Sequence, residues 1–150
     1  MSDCEAEGGF IISEIVAKSF PKTDQGTPVL QIEALSNGLL QLNLNTDILS
    51  GKTLDEINQI FANSKLSIAN TLEEAVWHEG GHAKTIFGMK SEDVKKLYDE
   101  LSEIHIKGIS TIAYDDGAEA LAELEVLRRR GVKVSKEMMK FYEKYIGRKY

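Results

Sequence analysis

Residues 76–82 read Val76-Trp77-His78-Glu79-Gly80-Gly81-His82. On a helix, His78 and His82 stand at i and i+4, on one face and about one turn apart. Both imidazoles can then reach a single Zn2+ at about 2.0–2.1 Å. Glu79 points to the same side, where its carboxylate can take a proton from a water at the open metal position. The chain holds only three histidines, so two of them are committed to this one spacing. Gly80 and Gly81 stand between them, although glycine costs a helix interior about 1 kcal/mol relative to alanine. Close approach of a strand or of substrate backbone would offset that cost, as would tight helix packing.

A catalytic zinc takes a third protein ligand and leaves one position open. The histidine-rich continuation HExxHxxGxxH is excluded, because Thr85 stands at its glycine and Gly88 at its last histidine. Downstream glutamates are the alternatives: Glu100 and Glu103, or Glu119, Glu123 and Glu125. Glu100 and Glu103 lie in Asp99-Glu100-Leu101-Ser102-Glu103, which reads as a solvated helix face. Glu119 and Glu123 stand at i and i+4 in Ala118-Glu119-Ala120-Leu121-Ala122-Glu123, among small residues that permit close helix packing. Composition therefore favours Glu119 as the ligand. Glu123, one turn on, is placed to accept a hydrogen bond from the far nitrogen of a ligating imidazole. His105, between Ile104 and Ile106, reads as an ordinary strand or loop residue.

These side chains need helices to carry them. Thr71-Leu72-Glu73-Glu74 is a capping-box pattern and predicts a helix over 72–87 bearing the histidine pair. Thr53-Leu54-Asp55-Glu56 predicts another over about 54–62 in the same way. Ser91 opens a third helix, to about Ile104, with Val94, Leu97, Tyr98 and Leu101 on its apolar face. Gly117 to Arg130 forms a fourth, stopped by Gly131, with Arg128, Arg129 and Arg130 as a solvated face at its negative end. Ser135 opens a fifth, with Met138, Met139, Tyr142 and Ile146 as a core stripe. Upstream, Leu30, Ile32 and Ala34 alternate with polar neighbours, as do Leu40, Leu42 and Leu44. With Asn37-Gly38 between them, residues 29–44 read as a β-hairpin. Residues 38–45 are the candidate edge strand for holding a substrate backbone. Phe10, Ile11, Ile15, Val16 and Phe20, followed by Pro21, read as a short amphipathic helix over 10–20. The expected fold class is α+β, a small antiparallel sheet with several helices and HExxH on a central helix.

Composition narrows the function classes. The chain has 150 residues, 42% hydrophobic and 28% charged, which suits one globular domain with its own core. A net charge of −6 argues against a nucleic-acid partner, which calls for a basic stripe. No apolar run approaches the roughly 20 residues of a membrane span, so no membrane partner is expected. The opening MSDCEAEGGF lacks the basic and apolar regions of a signal peptide. Cys4 is the single cysteine and cannot close an internal disulfide.

HEGGHAK, followed downstream by ISTIAYDDGAEALAEL, resembles the anthrax lethal factor-like zinc peptidases. It is similar also to related domains at the C-terminal ends of phage minor head (head morphogenesis) proteins. The likeness runs over roughly residues 38–147 and implies a zincin-like, gluzincin-type domain. The chain itself is expected to divide into an N-terminal segment 1–27 with a short helix and this domain over 28–150. It implies Zn2+ as cofactor, His78, His82 and Glu119 as its ligands, Glu79 as general base and Glu123 as the partner of a ligand. The family's oxyanion-stabilising tyrosine falls at Ile112 here, which leaves Tyr114 as the candidate for that role. The function expected is a zinc-dependent endopeptidase that hydrolyses peptide bonds in a protein or peptide substrate through a zinc-bound water. The alternative is a catalytically inactive zinc-binding structural module of a phage minor head protein, with a head-assembly partner. The expected location is cytoplasmic or virion-associated.

Overall fold

A computed structural model describes residues 12–18, 29–34, 40–64, 67–87 and 89–146. Its fold is α+β. Strands β1 (Ile12–Lys18), β2 (Leu30–Ala34) and β3 (Leu40–Asn45) form one sheet in the order β1-β3-β2. β2 and β3 pair antiparallel, with Leu30 opposite Leu44 and Ile32 opposite Leu42. This is the hairpin pairing expected from the alternating leucines; the Asn37-Gly38 turn lies outside the described residues.

Three expectations about the sheet are corrected. Within residues 10–20, the described part is the strand β1 rather than a helix. Ile12, Ile15 and Val16 are β-branched, which disfavours a helix and suits a pleated surface. β1 runs parallel to β3, with Ile15 opposite Leu42 and Ala17 opposite Leu44, so the sheet is mixed and not antiparallel throughout. β3 is therefore the central strand, and the edges belong to β1 and β2, not to residues 38–45. Both faces of β3 are covered. Leu40 and Leu42 are buried on one, and Asn43 and Asn45 on the other. The asparagines are satisfied: Asn43 donates to Glu33 (3.1 Å) and accepts from Gln41 (2.7 Å), while Asn45 accepts from the Asp47 N–H (3.0 Å).

The described helices are α1 (Thr46–Leu49), α2 (Leu54–Asn63), α3 (Leu72–Ile86), α4 (Ser91–Leu101), α5 (Thr111–Asp115), α6 (Gly117–Arg129) and α7 (Lys136–Tyr145). The capping hydroxyls act as their positions predict. Thr53 accepts from the Glu56 N–H, Thr71 from the Glu74 N–H and Ser135 from the Met138 N–H. Gly131 follows α6 at φ +76°. α1 and α5, of four and five residues, are too short to show a helical period in the sequence.

α3 lies between the sheet and α6. On one side Leu30, Leu40 and Leu42 pack with Ala75, Ala83, Ile86 and Val94. A second core joins Leu101, Ala118, Leu121, Tyr145 and Ile146, and Leu97 and Tyr98 of α4 touch both. A Cβ added to Gly81 would lie 2.7 Å from the Ala122 Cα and 3.0 Å from the Glu125 Cβ. The mid-helix glycine thus serves tight packing of α3 on α6, the plainest of the three readings.

The arginine run is exposed at Arg128 and Arg130, as a solvated face would be, but it is also paired. Arg128 and Arg129 reach the buried Glu125, which also accepts from Lys84 (2.9 Å) and Tyr142 (2.5 Å). Arg130 donates to Glu74 and to the Ile68 carbonyl, tying the segment before α3 to the end of α6. The α7 stripe is core only in part, since Ile146 is buried while Met139 is exposed. No helix among the described residues is long and apolar enough to cross a membrane.

Candidate metal centre

α3 and α6 each deliver half of the centre. From α3, the His78 and His82 rings meet edge to face, with centroids 4.9 Å apart. From the first turn of α6, Glu119 brings one oxygen to 2.9 Å from His78 Nε2 and 3.3 Å from His82 Nε2. A tetrahedral metal with ligands at about 2.0–2.1 Å has ligand–ligand edges of about 3.3 Å. Two imidazole nitrogens and a carboxylate oxygen at these spacings fit one divalent cation, a donor set that several borderline metals accept. Ligand atoms of His78, Glu79 and His82 also lie within 4.8 Å of one another. Glu119 is the better third ligand, because its oxygen faces both Nε2 atoms directly. Its carboxyl side chain keeps 34% of its surface open, against 10% for His78 and 13% for His82.

Local sequence explains the placement of Glu119. Asp116 closes α5 and caps α6, accepting from the Ala118 N–H (2.6 Å) and the Glu119 N–H (3.2 Å). Gly117 fits because a Cβ there would press to 3.0 Å on the Leu101 carbonyl. One turn on, Glu123 accepts from His78 Nδ1 at 3.0 Å and is itself fully buried. The four residues chosen from spacing, His78, His82, Glu119 and Glu123, are therefore brought together.

Electrostatics follow from that packing. Burial alone would push the His78 imidazolium down, but hydrogen bonds to Glu119 and Glu123 outweigh it and hold its pKa well above the ordinary value. His82 is raised too, since the Glu119 charge overcomes the same burial. Burial would raise the Glu119 carboxyl, yet His82 and His78 hold it well below the usual carboxylate range. Glu79 goes the other way: burial raises it, against the lowering effect of the two histidines and of the Ile32 N–H of β2. Of two neighbouring carboxylates, one is kept ionised and the other is eased toward holding a proton.

Tyr114 is not brought to this cluster. It lies exposed on α5, its carbonyl accepts from His105 Nδ1 (2.7 Å) and its ring packs against the His105 ring. His105 is an exposed loop residue, as expected, and Glu100 and Glu103 lie on an exposed face. Reasoning from sequence missed four groups near the centre. Ser67, the Ile68 N–H and Ser110 all donate to Glu123. Tyr98, taken only as core, has its phenol pushed up to about 12 by burial and by the charges of Glu119, Glu79 and Asp116. Ser110 stands in the ISTIAYDD run, so a signal existed for it; Ser67 carries none. No family model, curated protein or solved structure matches the chain.

Proposed function

We propose that the protein is a zinc-dependent endopeptidase of zincin type. The observation that carries this reading is the single Glu119 oxygen facing Nε2 of both His78 and His82, beside a Glu79 carboxyl whose pKa is raised. His78, His82 and Glu119 would hold Zn2+, with Glu123 fixing the His78 ring through Nδ1. A bound Zn2+ supplies Lewis acidity there, toward water and toward a peptide carbonyl. Glu79 orients the attacking water, accepts its proton as the oxygen adds to the carbonyl carbon, and returns that proton to the departing amine nitrogen. A raised pKa makes the carboxylate a stronger base for taking the proton. The carboxylic acid so formed is still far more acidic than the departing amine's conjugate acid, so the proton passes on to that nitrogen. β2 is an edge strand whose Ile32 N–H meets Glu79, so an extended peptide lying along β2 would present its backbone to the same carboxylate.

The test uses purified protein stripped with chelator and reloaded. One equivalent of zinc and cleavage of an unfolded protein substrate are expected, with Glu79→Gln keeping the zinc and losing at least about 100-fold in rate. Absence of zinc after refolding with excess metal would overturn the reading.

A second reading rests on Tyr114, which packs on His105 rather than beside the histidine pair. It makes the domain a catalytically inactive zinc-binding module, such as a part of a phage minor head protein. In that case chelation lowers the melting temperature, while Glu79→Gln is silent and no cleavage occurs.

A further inference from the structure

The Glu123 carboxylate has no solvent exposure and accepts four hydrogen bonds. Oε1 receives the Ile68 N–H (3.0 Å) and the Ser110 hydroxyl (2.7 Å). Oε2 receives the Ser67 hydroxyl (2.9 Å) and His78 Nδ1 (3.0 Å). Each oxygen is thus engaged twice, and three of the four donors come from two loops, one ahead of α3 and one ahead of α5. Each serine oxygen also accepts a nearby backbone N–H, that of Ala69 in its own loop for Ser67 (3.1 Å) and that of Ala113 in the α5 it caps for Ser110 (3.2 Å). With those lone pairs occupied, the two hydroxyl hydrogens are directed at Glu123. From the other side, Arg130 grips the Ile68 carbonyl and holds the first loop in place.

We propose that Ser67 and Ser110 are positioning residues of the centre, holding the Glu123 carboxylate in the orientation that keeps His78 Nε2 aimed at the metal position. The inference rests on the metal-binding reading above. A carboxylate free to rotate would let the imidazole turn about its Cβ–Cγ bond and lose aim. Glu123 is shut off from solvent, so losing a donor leaves a buried carboxylate under-satisfied. The two hydroxyls therefore act through Glu123 and His78 on metal affinity, without touching the metal.

The experiment measures zinc affinity of the full chain by competition with a chromophoric chelator, and exchange of the His78 Nδ1–H by proton NMR in the zinc-loaded protein. Ser67→Ala and Ser110→Ala should each weaken zinc about tenfold and speed that exchange, whereas Ser110→Thr, which keeps the hydroxyl, should stay within about twofold of wild type. A role confined to capping α5 or bracing the 67–69 turn would lower the melting temperature and leave both readouts unmoved. Affinity within about twofold of wild type and an equally protected Nδ1–H in both alanine variants overturn the inference. If Ser110→Ala does not fold, Ser67→Ala decides alone. A wild-type chain that takes up no zinc overturns the metal-binding reading, and this inference with it.

Discussion

A side chain on Gly81 would place its Cβ 2.7 Å from the Ala122 Cα, so α3 and α6 meet through backbone at the level of the candidate centre. Backbone cannot swing aside as a flexible side chain can. Gly81→Ala should therefore separate the two helices, at a cost of about 1–3 kcal/mol from overpacking. Because His78 and His82 ride on α3 and Glu119 on α6, zinc affinity should fall with stability. Thermal melts with and without zinc check both; an unchanged midpoint would contradict the packing.

Glu125 predicts an acid transition. Burial would raise its carboxyl, but Arg128, Tyr142 and Lys84 bring it down to about 2 from an ordinary 4.5. Its folded pKa is depressed, so its contribution is fully present above about pH 4.5 and is lost as pH falls toward 2. The stabilisation at stake is on the order of 3 kcal/mol. Glu125→Gln should flatten the acid limb of the stability profile, and should cost about 3–5 kcal/mol near neutral pH. Denaturant midpoints between pH 7 and pH 3 measure both effects.

Zinc uptake should strengthen as pH rises. Both histidines have raised pKa values, and a metal must take the place of the Nε2 protons that face Glu119. Affinity at pH 8 should exceed that at pH 6, with protons released on binding, as titration calorimetry in buffers of different ionisation enthalpy detects. The metal-free fold runs the opposite way. Its raised His78 contributes stability fully below about pH 6.5, the ordinary histidine value, and loses it as pH rises through the folded pKa.

Tyr98 should remain a neutral phenol far into the alkaline range. Its pKa of about 12 means that Tyr98→Phe removes almost no phenolate absorbance at 295 nm below about pH 11. Phenylalanine keeps the ring between the two cores, so the melting temperature should move little. A Tyr98 that titrates near pH 10 would place it away from the Glu119 and Glu79 charges.

The halves of the centre differ in how far they could be read from the chain. His78, Glu79 and His82 sit within one helical turn, and local spacing alone puts them on one face. Glu119 and Glu123 were reached because i and i+4 spacing among alanines limits which face can pack. Ser67 and Ser110 meet Glu123 only through tertiary closure of loops distant in sequence, which no periodicity encodes. β1 was misread because apolar positions in a short β-branched segment satisfy helical and extended spacing alike; its parallel partner β3 decides between them. Arg128 and Arg130 are exposed, as the charge run implies, but nothing local reveals that Glu125 is buried beside them and pairs with Arg128 and Arg129.

Ser110, Asp116, Glu119 and Glu123 all stand on one short run spanning α5 and the start of α6, while both imidazoles stand on α3. Between these runs lies the mostly exposed loop after α4, which includes Gly108 at φ +91°. A chain severed in that loop would leave each fragment with an incomplete donor set, neither able to grip a divalent ion as the joined pieces do. Metal added to the mixed fragments would then act as a molecular rivet, and its uptake would report directly on whether the two pieces have found each other.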